Sequence, residues 1–210
     1  LLNLYDTSLK IQLKPCKQMD GECVGTISMI QYTNLSIDDK LVNTLAAAGC
    51  IYTLSYCFEK GAIMSTNLMC CAASNGHIET LKFLNESGCP WDEWAPALAA
   101  KNGHIETLRY LHDNGCSWDE FAPEKAAETG QIETLKYLHK NGCLWDYNAP
   151  EFAASNGNIE ILKYLYENGC PWNNTWAPAK AAMNGNIETL KYLHESGCSW
   201  DKLAPAEAAG

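Results

Sequence analysis

The sequence lacks the features that would indicate a membrane-spanning, nucleotide-binding or nucleic-acid-binding protein. No apolar run approaches the ~18 residues that a membrane span requires, and no secretory signal is visible. A glycine-rich phosphate loop is also missing. The net charge of −10 gives little electrostatic support for binding phosphate groups. We therefore expect neither direct membrane insertion nor a nucleic-acid partner.

Ligand sets for metals and catalytic triads are missing too, although the chain has eleven cysteines and five histidines. It contains no Cys-x-x-Cys, and its histidines fall at only two positions of a repeated pattern. Equivalent positions of stacked repeats lie ~8–10 Å apart, so these histidines cannot share an ion bound at ~2.0–2.3 Å. A periodic chain also brings no unique nucleophile, base and orienting group together. The sequence predicts no cofactor, no metal site and no enzyme.

What the sequence does contain is a repeat of 27 or 28 residues. One glycine opens each copy of the pattern, at Gly76, Gly103, Gly130, Gly157 and Gly185. A fixed period in this range is typical of repeat architectures. In the unit around Gly103, a short alanine-rich segment has Pro96 in its first turn, and an apolar stripe of Ile105, Leu108 and Leu111 follows. These segments predict two helices joined by a short turn, which bury their apolar faces by stacking on neighbouring units.

The recurring pattern Ala-Ala-x-x-Gly-His-Ile-Glu-x-Leu-Lys-x-Leu-x-x-x-Gly-Cys resembles the core of the ankyrin repeat. The repeats are shorter than the usual 33 residues, and the Thr-Pro-Leu-His motif is reduced to Ala-Pro. The Gly-Cys-x-Trp-Asp type is similar to short ankyrin repeats of large DNA viruses and protists. The resemblance implies an all-α helix-turn-helix solenoid with short connecting loops, without projecting β-hairpins.

The regularity of the pattern predicts the domain organisation. Residues 1–36 are either a divergent N-terminal segment or an eroded repeat, with one short strand expected around Leu9–Leu13. Residues 37–210 form the repeat array. It comprises an eroded repeat at 37–61, five clean repeats within 68–197 and a truncated repeat at 204–210. Because the chain begins with Leu1 and stops within a repeat, we expect it to be part of a longer protein.

Two further repeat positions carry unusual residues, a cysteine and a tryptophan. The cysteines are Cys89, Cys116, Cys143, Cys170 and Cys198. They are predicted to be small buried residues, too far apart for disulfides, which favours the cytoplasm or another reducing compartment. The tryptophans are Trp91, Trp118, Trp145, Trp172 and Trp200, and their strict repetition predicts a buried structural column. The aspartate that follows four of them, such as Asp92 or Asp119, is expected to cap the following helix.

Other repeat positions vary freely, and these are the candidate partner-binding residues. They comprise Trp94, Leu98, Phe121, Lys125, Tyr147, Phe152, Trp176 and Lys180. In the ankyrin family, the corresponding turn and first-helix positions line a concave groove. Aromatic residues among charged ones are also typical of interface centres. The competing interpretation is that the aromatic side chains only pack against the neighbouring turn.

The resemblance therefore implies a non-catalytic module that binds another protein, whose identity the sequence does not give. Two alternatives remain open. In the first alternative, the chain is a structural subunit built permanently into a large assembly, such as a virus particle or a membrane-protein supercomplex. In the second, it is the substrate-recruiting arm of a larger adaptor protein.

Overall fold

Pairs of short helices make up most of the structure, a computed structural model that describes residues 5–6, 11–12, 27, 30, 36–170 and 176–198. In chain order, the helices are α1 (Asp39–Ala48), α2 (Ile51–Glu59), α3 (Thr66–Ser74), α4 (Ile78–Glu86), α5 (Trp94–Lys101), α6 (Ile105–Asp113), α7 (Phe121–Glu128), α8 (Ile132–Lys140), α9 (Asn148–Ser155), α10 (Ile159–Glu167), α11 (Ala177–Met183) and α12 (Ile187–Glu195). Odd-numbered helices are the first of each pair and even-numbered helices the second. The predicted all-α helix-turn-helix fold is confirmed.

Near the N-terminus, two short strands form an antiparallel pair. Strand β1 (Tyr5–Asp6) pairs with β2 (Ile11–Gln12), with Tyr5 opposite Gln12 and Asp6 opposite Ile11. The expected strand around Ile11 is therefore present, and its partner was not predicted. Most of residues 1–36 lies outside the described residues, as does the truncated repeat at 204–210. The division into an N-terminal segment and a repeat array stays a prediction.

The chain divides into two compact units. The first comprises Leu1–Ala95 and Glu106–Cys116, and the second comprises Pro96–Ile105 and Ser117–Gly210. In the first unit, α1 packs against α3, and each of these first helices packs against its own second helix. In the second unit, α9 lies between α7 and α11, while α10 contacts α12. Each unit therefore contains a layer of first helices and a layer of second helices.

Residue size explains why the two layers approach closely. The paired alanines of each first helix are buried, for example Ala126 and Ala127, and they leave room for the adjacent helix. The second helices contribute pairs of buried leucines, such as Leu135 and Leu138. Alanine lining on one helix and leucine on the other form the core between the layers.

Glycine ends the first helix of each pair, and Gly103 shows why no other residue fits well. Its φ is 75°, in the left-handed region that favours glycine. A Cβ atom here would lie only 2.6 Å from Oε1 of Gln131. The backbone conformation therefore favours glycine, whereas the contact concerns the end of a flexible side chain that can move aside.

The loops after the second helices are short, and buried cysteine thiols form hydrogen bonds between successive loops. Within the second unit, Sγ of Cys143 lies 3.3 Å from the carbonyl oxygen of Asp119, and Sγ of Cys170 lies 3.3 Å from that of Asp146. Burial raises the pKa of each thiol to about 12, so the thiol stays protonated and donates its hydrogen to the carbonyl. The predicted burial of these cysteines is confirmed, and the sequence did not reveal their hydrogen bonds.

The tryptophan column differs from the prediction. Trp91, Trp118 and Trp145 are only half-buried, and Trp172 and Trp200 lie outside the described residues. Trp118 packs edge-on against Tyr137 of the next repeat at a centroid distance of 6.3 Å, and Trp145 lies 4.0 Å from the His139 ring. These rings cover the outer edge of the loop layer, so one face of each stays near solvent.

None of the described helices is both long enough and apolar enough to cross a bilayer.

Candidate protein-binding site

Capping by aspartate places the variable residues at the start of the first helices. Oδ1 of Asp92 accepts a hydrogen bond from the backbone N–H of Trp94 at 3.1 Å. Asp119 caps Phe121 in the same way at 3.0 Å. The predicted capping role is confirmed, because the carboxylate pairs a backbone donor that the helix itself leaves unpaired. Each cap fixes the backbone position from which the variable side chain, Trp94 or Phe121, projects.

The candidate residues differ in exposure. Three are exposed, with exposed fractions of 44% for Trp94, 55% for Tyr147 and 47% for Trp176. The other five are half-buried, namely Leu98, Phe121, Lys125, Phe152 and Lys180. Packing against the neighbouring turn therefore does not remove these side chains from solvent. Trp94 belongs to the first unit and the other seven to the second.

In the second unit, a chain of polar contacts runs from one first helix to the next. Nζ of Lys125 lies 2.6 Å from Oε2 of Glu128, and Nζ of Lys101 lies 3.7 Å from Oε1 of the same carboxylate. The hydrogen bond from Lys125 is the main reason why the pKa of Glu128 is lowered. The Lys125 ammonium also lies over the Phe152 ring, 5.4 Å from its centroid. We call α7, α9, α11 and residues 96–101 of α5 the first-helix row, and we include Tyr147 and Trp176, which directly precede α9 and α11.

A depression of about 300 Å³ opens on the first-helix row. Its lining residues come from α7, α9 and α11 and comprise Glu124, Asn148, Glu151, Phe152, Ser155 and Lys180. Two of them, Phe152 and Lys180, belong to the predicted set. The remaining predicted residues are not part of its lining.

Glu124 is the most deeply placed of these side chains, with an exposed fraction of 5%. Its Oε1 accepts a hydrogen bond from Nδ2 of Asn148 at 2.7 Å, and the same nitrogen lies 2.8 Å from Oδ2 of Asp146. Burial is the main cause that raises the pKa of Glu124. The nearby Asp146 raises it further, while the Asn148 hydrogen bond opposes the shift. One amide group thus bridges two carboxyl groups from neighbouring repeats.

Glu151 occupies the equivalent position one repeat later. Its Oε1 accepts a hydrogen bond from the backbone N–H of Trp176 at 2.8 Å, which positions that exposed ring at the start of α11. Beside it, Nδ2 of Asn184 donates to Oγ of Ser155 at 3.1 Å. The depression therefore has walls that are fixed by contacts between repeats.

The sequence prediction missed Glu124, Asn148, Glu151 and Ser155. Helical periodicity offers a signal for Ser155, because it lies three residues after Phe152 and so on the same helix face. Glu124 and Glu151 directly follow the proline of their repeats, where α5 and α11 carry alanine. This variation between repeats was visible in the sequence.

Exposed apolar residues also occur away from the first-helix row. A larger depression of about 440 Å³ lies on α12 and is lined by Ile187, Leu190, Lys191 and His194. Ile187 is 63% exposed, whereas the equivalent Ile132 and Ile159 are half-buried. The described part of the chain contains no further second helix beside α12, which accounts for this exposure. We therefore place the candidate site on the first-helix row, despite its smaller depression.

Among the described residues, no group of three or more His, Cys, Asp or Glu side chains is arranged to hold a metal ion. Burial raises the pKa of the Cys116 thiol to about 11 and that of Cys143 to about 12. These thiols are neutral at pH 7 and are poor nucleophiles. What the site offers is shape, aromatic surface and hydrogen-bonding groups.

Comparison with known proteins agrees with this architecture. The family model described as ankyrin repeats (3 copies) matches residues 68–151 and 124–204, which together span more than half of the chain. No curated protein matches the chain.

Among solved structures, the ankyrin repeat domain of human ASB11 is similar. Its TM-score is 0.61 at 18% sequence identity, and the match covers 77% of this chain and 85% of that domain. At this identity, the similarity concerns the fold.

Proposed function

Because the chain belongs to the ankyrin repeat family, we propose that the first-helix row of its second unit is a non-catalytic protein-binding surface. Repeats of this family generally mediate protein–protein interaction. The observation that carries the proposal is the combination of exposed aromatic side chains with a depression on one row of helices. Interface centres are enriched in such aromatic residues.

The proposed contact residues of the second unit are those that vary between repeats. They are Leu98, Phe121, Lys125, Tyr147, Phe152, Trp176 and Lys180. Trp94 offers a similar exposed ring in the first unit. Repeat-specific residues on a repeated scaffold suit the recognition of one particular partner, since each side chain is presented at a fixed position.

The chemistry of the cysteines supports a reducing compartment as the place of this interaction. None of the nine cysteines of the described residues forms a disulfide. Several donate hydrogen bonds as neutral thiols and contribute to loop packing in that form. A protein that relies on free, buried thiols is suited to the cytoplasm or a similar environment.

The test compares two sets of aromatic and aliphatic residues, all of them exposed except the half-buried Phe121. In the full chain, Phe121→Ser, Tyr147→Ser and Trp176→Ser are combined, and affinity capture from the native source is followed by mass spectrometry across a salt series. We expect the partner to be lost. The matched control combines Leu144→Ser, Tyr166→Ser and Ile187→Ser, which are exposed away from the first-helix row, and should retain the partner. Circular dichroism and thermal melting check that both variants stay folded.

Equal loss of the partner in both variants would contradict the proposal. The salt series also separates the alternatives. A partner that dissociates as salt rises indicates a reversible adaptor or recruiting arm. A stoichiometric complex that survives high salt indicates a permanent structural subunit.

A further inference from the structure

The depression on the first-helix row has a size and chemistry that indicate what it receives. This inference rests on the proposed function, since it names the group of the partner protein that enters the site. We propose that the depression binds one arginine side chain of the partner, with the carboxylates of Glu124 and Glu151 as hydrogen-bond acceptors and Phe152 as the stacking surface.

Volume supports a single side chain as the occupant. Sites for small molecules typically measure ~300–1,000 Å³, and this depression, at about 300 Å³, lies at the lower limit of that range. It is open on the same row that carries the exposed Trp176 ring. A side chain that projects from a docked protein reaches such a site without a separate entry path.

Charge supports a cation. Among the described residues, the lining carries two carboxyl groups and one ammonium group, that of Lys180. Within the described residues, this ammonium forms neither an ion pair nor a hydrogen bond, so it does not neutralise either carboxylate directly. One added guanidinium would balance the charges of the described lining. It would also give the buried Glu124 carboxyl group a cationic hydrogen-bond donor, where the structure now provides the neutral amide of Asn148 and only a Coulombic attraction from Lys125.

Geometry favours a guanidinium over an ammonium. Glu124 and Glu151 occupy equivalent positions on adjacent first helices, whose axes lie ~8–10 Å apart in typical helix packing. A guanidinium presents five N–H donors in a planar fork and can donate to acceptors on two sides. An ammonium is a compact, strongly hydrated charge and loses more on leaving water.

The aromatic wall adds a third contribution. Phe152 lines the depression, and the Lys125 ammonium already lies over its ring at 5.4 Å. This arrangement shows that the ring accepts a cation in this environment. Lys125 is held by Glu128, which is outside the lining. Phe152 itself is only half-buried and lines the depression, so part of its ring can be reached by a planar group that enters there.

The experiment measures binding of small probes to the full chain by ¹H–¹⁵N NMR. The first probe is N-acetyl-L-arginine amide, and N-acetyl-L-citrulline amide serves as an uncharged analogue of the same size. We expect the arginine probe to shift the side-chain amide of Asn148 and the backbone amide of Trp176, because these groups donate to the two carboxylates. The citrulline probe should bind roughly tenfold more weakly, since it forms no charge-assisted hydrogen bonds.

Single substitutions locate the site. Glu124→Gln and Glu151→Gln should each weaken binding of the arginine probe roughly fivefold to tenfold. Glu120→Gln is the matched control, because it removes an exposed carboxylate just before α7 that does not line the depression, and it should leave binding unchanged. The Glu151 variant keeps the test valid if the buried Glu124 substitution perturbs folding.

Three results would overturn the inference. They are equal binding of the citrulline probe, equal binding of N-acetyl-L-lysine amide, and equal weakening by Glu120→Gln. If the arginine probe fails while the aromatic triple variant still loses the partner, only this inference is wrong. If the probe binds as expected but that triple variant keeps its partner, the proposed protein-binding surface is wrong instead.

Discussion

Within the second unit, the first helices and the second helices use charged residues differently. On the second helices, each ion pair lies within one helix, three residues apart, as in Lys136–Glu133 and Lys191–Glu188, both at 2.7 Å. The first-helix row has one such pair, Lys125–Glu128, but other polar contacts on it join different helices, as in Lys101–Glu128 at 3.7 Å and Asn148–Glu124 at 2.7 Å. Pairs of the first kind are exposed and contribute little to stability, whereas those of the second kind fix one repeat against the next.

The apolar residues show the same contrast. The second helices repeat one set of buried leucines, and even their buried threonines recur, with Ile161 as the exception at that position. The first-helix row presents leucine, lysine, phenylalanine and lysine at its equivalent positions, Leu98, Lys125, Phe152 and Lys180. Repeated residues thus stabilise the packing of the helices, and the residues that differ between repeats make the surface of each repeat chemically different.

The largest expected effect comes from damaging the second helices. Leu135→Ala removes a fully buried side chain and should lower the free energy of unfolding by about 2–5 kcal/mol. Urea denaturation followed by circular dichroism measures this change. Phe152 on the first-helix row is half-buried. Phe152→Ala should therefore lower the free energy of unfolding by clearly less than Leu135→Ala does, but it should weaken capture of the partner. If the two substitutions cost the same stability, the distinction between scaffold and recognition surface fails.

A smaller effect is expected from Trp118→Ala in the loop layer. A fully buried tryptophan would cost ~3–5 kcal/mol on truncation to alanine. Trp118 is half-buried and packs edge-on against Tyr137, so we expect roughly 2 kcal/mol. Urea denaturation again provides the measurement, and Tyr137→Leu serves as the companion variant, because it removes the edge-on contact alone. A loss near 5 kcal/mol would mean that the ring is buried after all.

Periodicity made much of this architecture predictable. The positions of the helices, the terminating glycines, the aspartate caps and the buried cysteines all follow from residues that recur at one spacing. The exposure of Trp118 was not predictable in this way, because recurrence shows that a position is structural but not how far neighbouring side chains cover it. The assignment of the candidate binding residues stays a prediction.

Contacts between repeats were the main feature beyond reach of the sequence. Cys143 contacts Asp119, Cys170 contacts Asp146, and Asn148 contacts Glu124, each across 24 residues. Their common separation is shorter than the 27-residue repeat, because each residue contacts the position three residues after its own equivalent in the preceding unit. Only the stacking geometry reveals this offset, and it brings Glu124, Asn148 and Asp146 together in the candidate site.

The smallest expected effect concerns the thiols of these loops and their response to pH. Burial raises the pKa of Cys143 to about 12, well above the ordinary value of 9.0. The unfolded thiol ionises first as the pH rises, so its contribution to stability is complete below pH 9 and is lost between about pH 9 and pH 12. At pH 10, this loss should be about 1 kcal/mol for one such thiol.

A comparison of the wild type with Cys143→Ala separates the stability contributed by this thiol from the effects of lysines and tyrosines, which ionise in the same pH range. Urea denaturation of both proteins at pH 7.5 and pH 10 gives the difference between their pH dependences, and the wild type should lose more stability than the variant. Equal losses would mean that the Cys143 thiol is ionised in the folded protein or that its bond to the Asp119 carbonyl contributes nothing. The loop layer would then be held by shape alone, in the same way as the leucine core of the second helices.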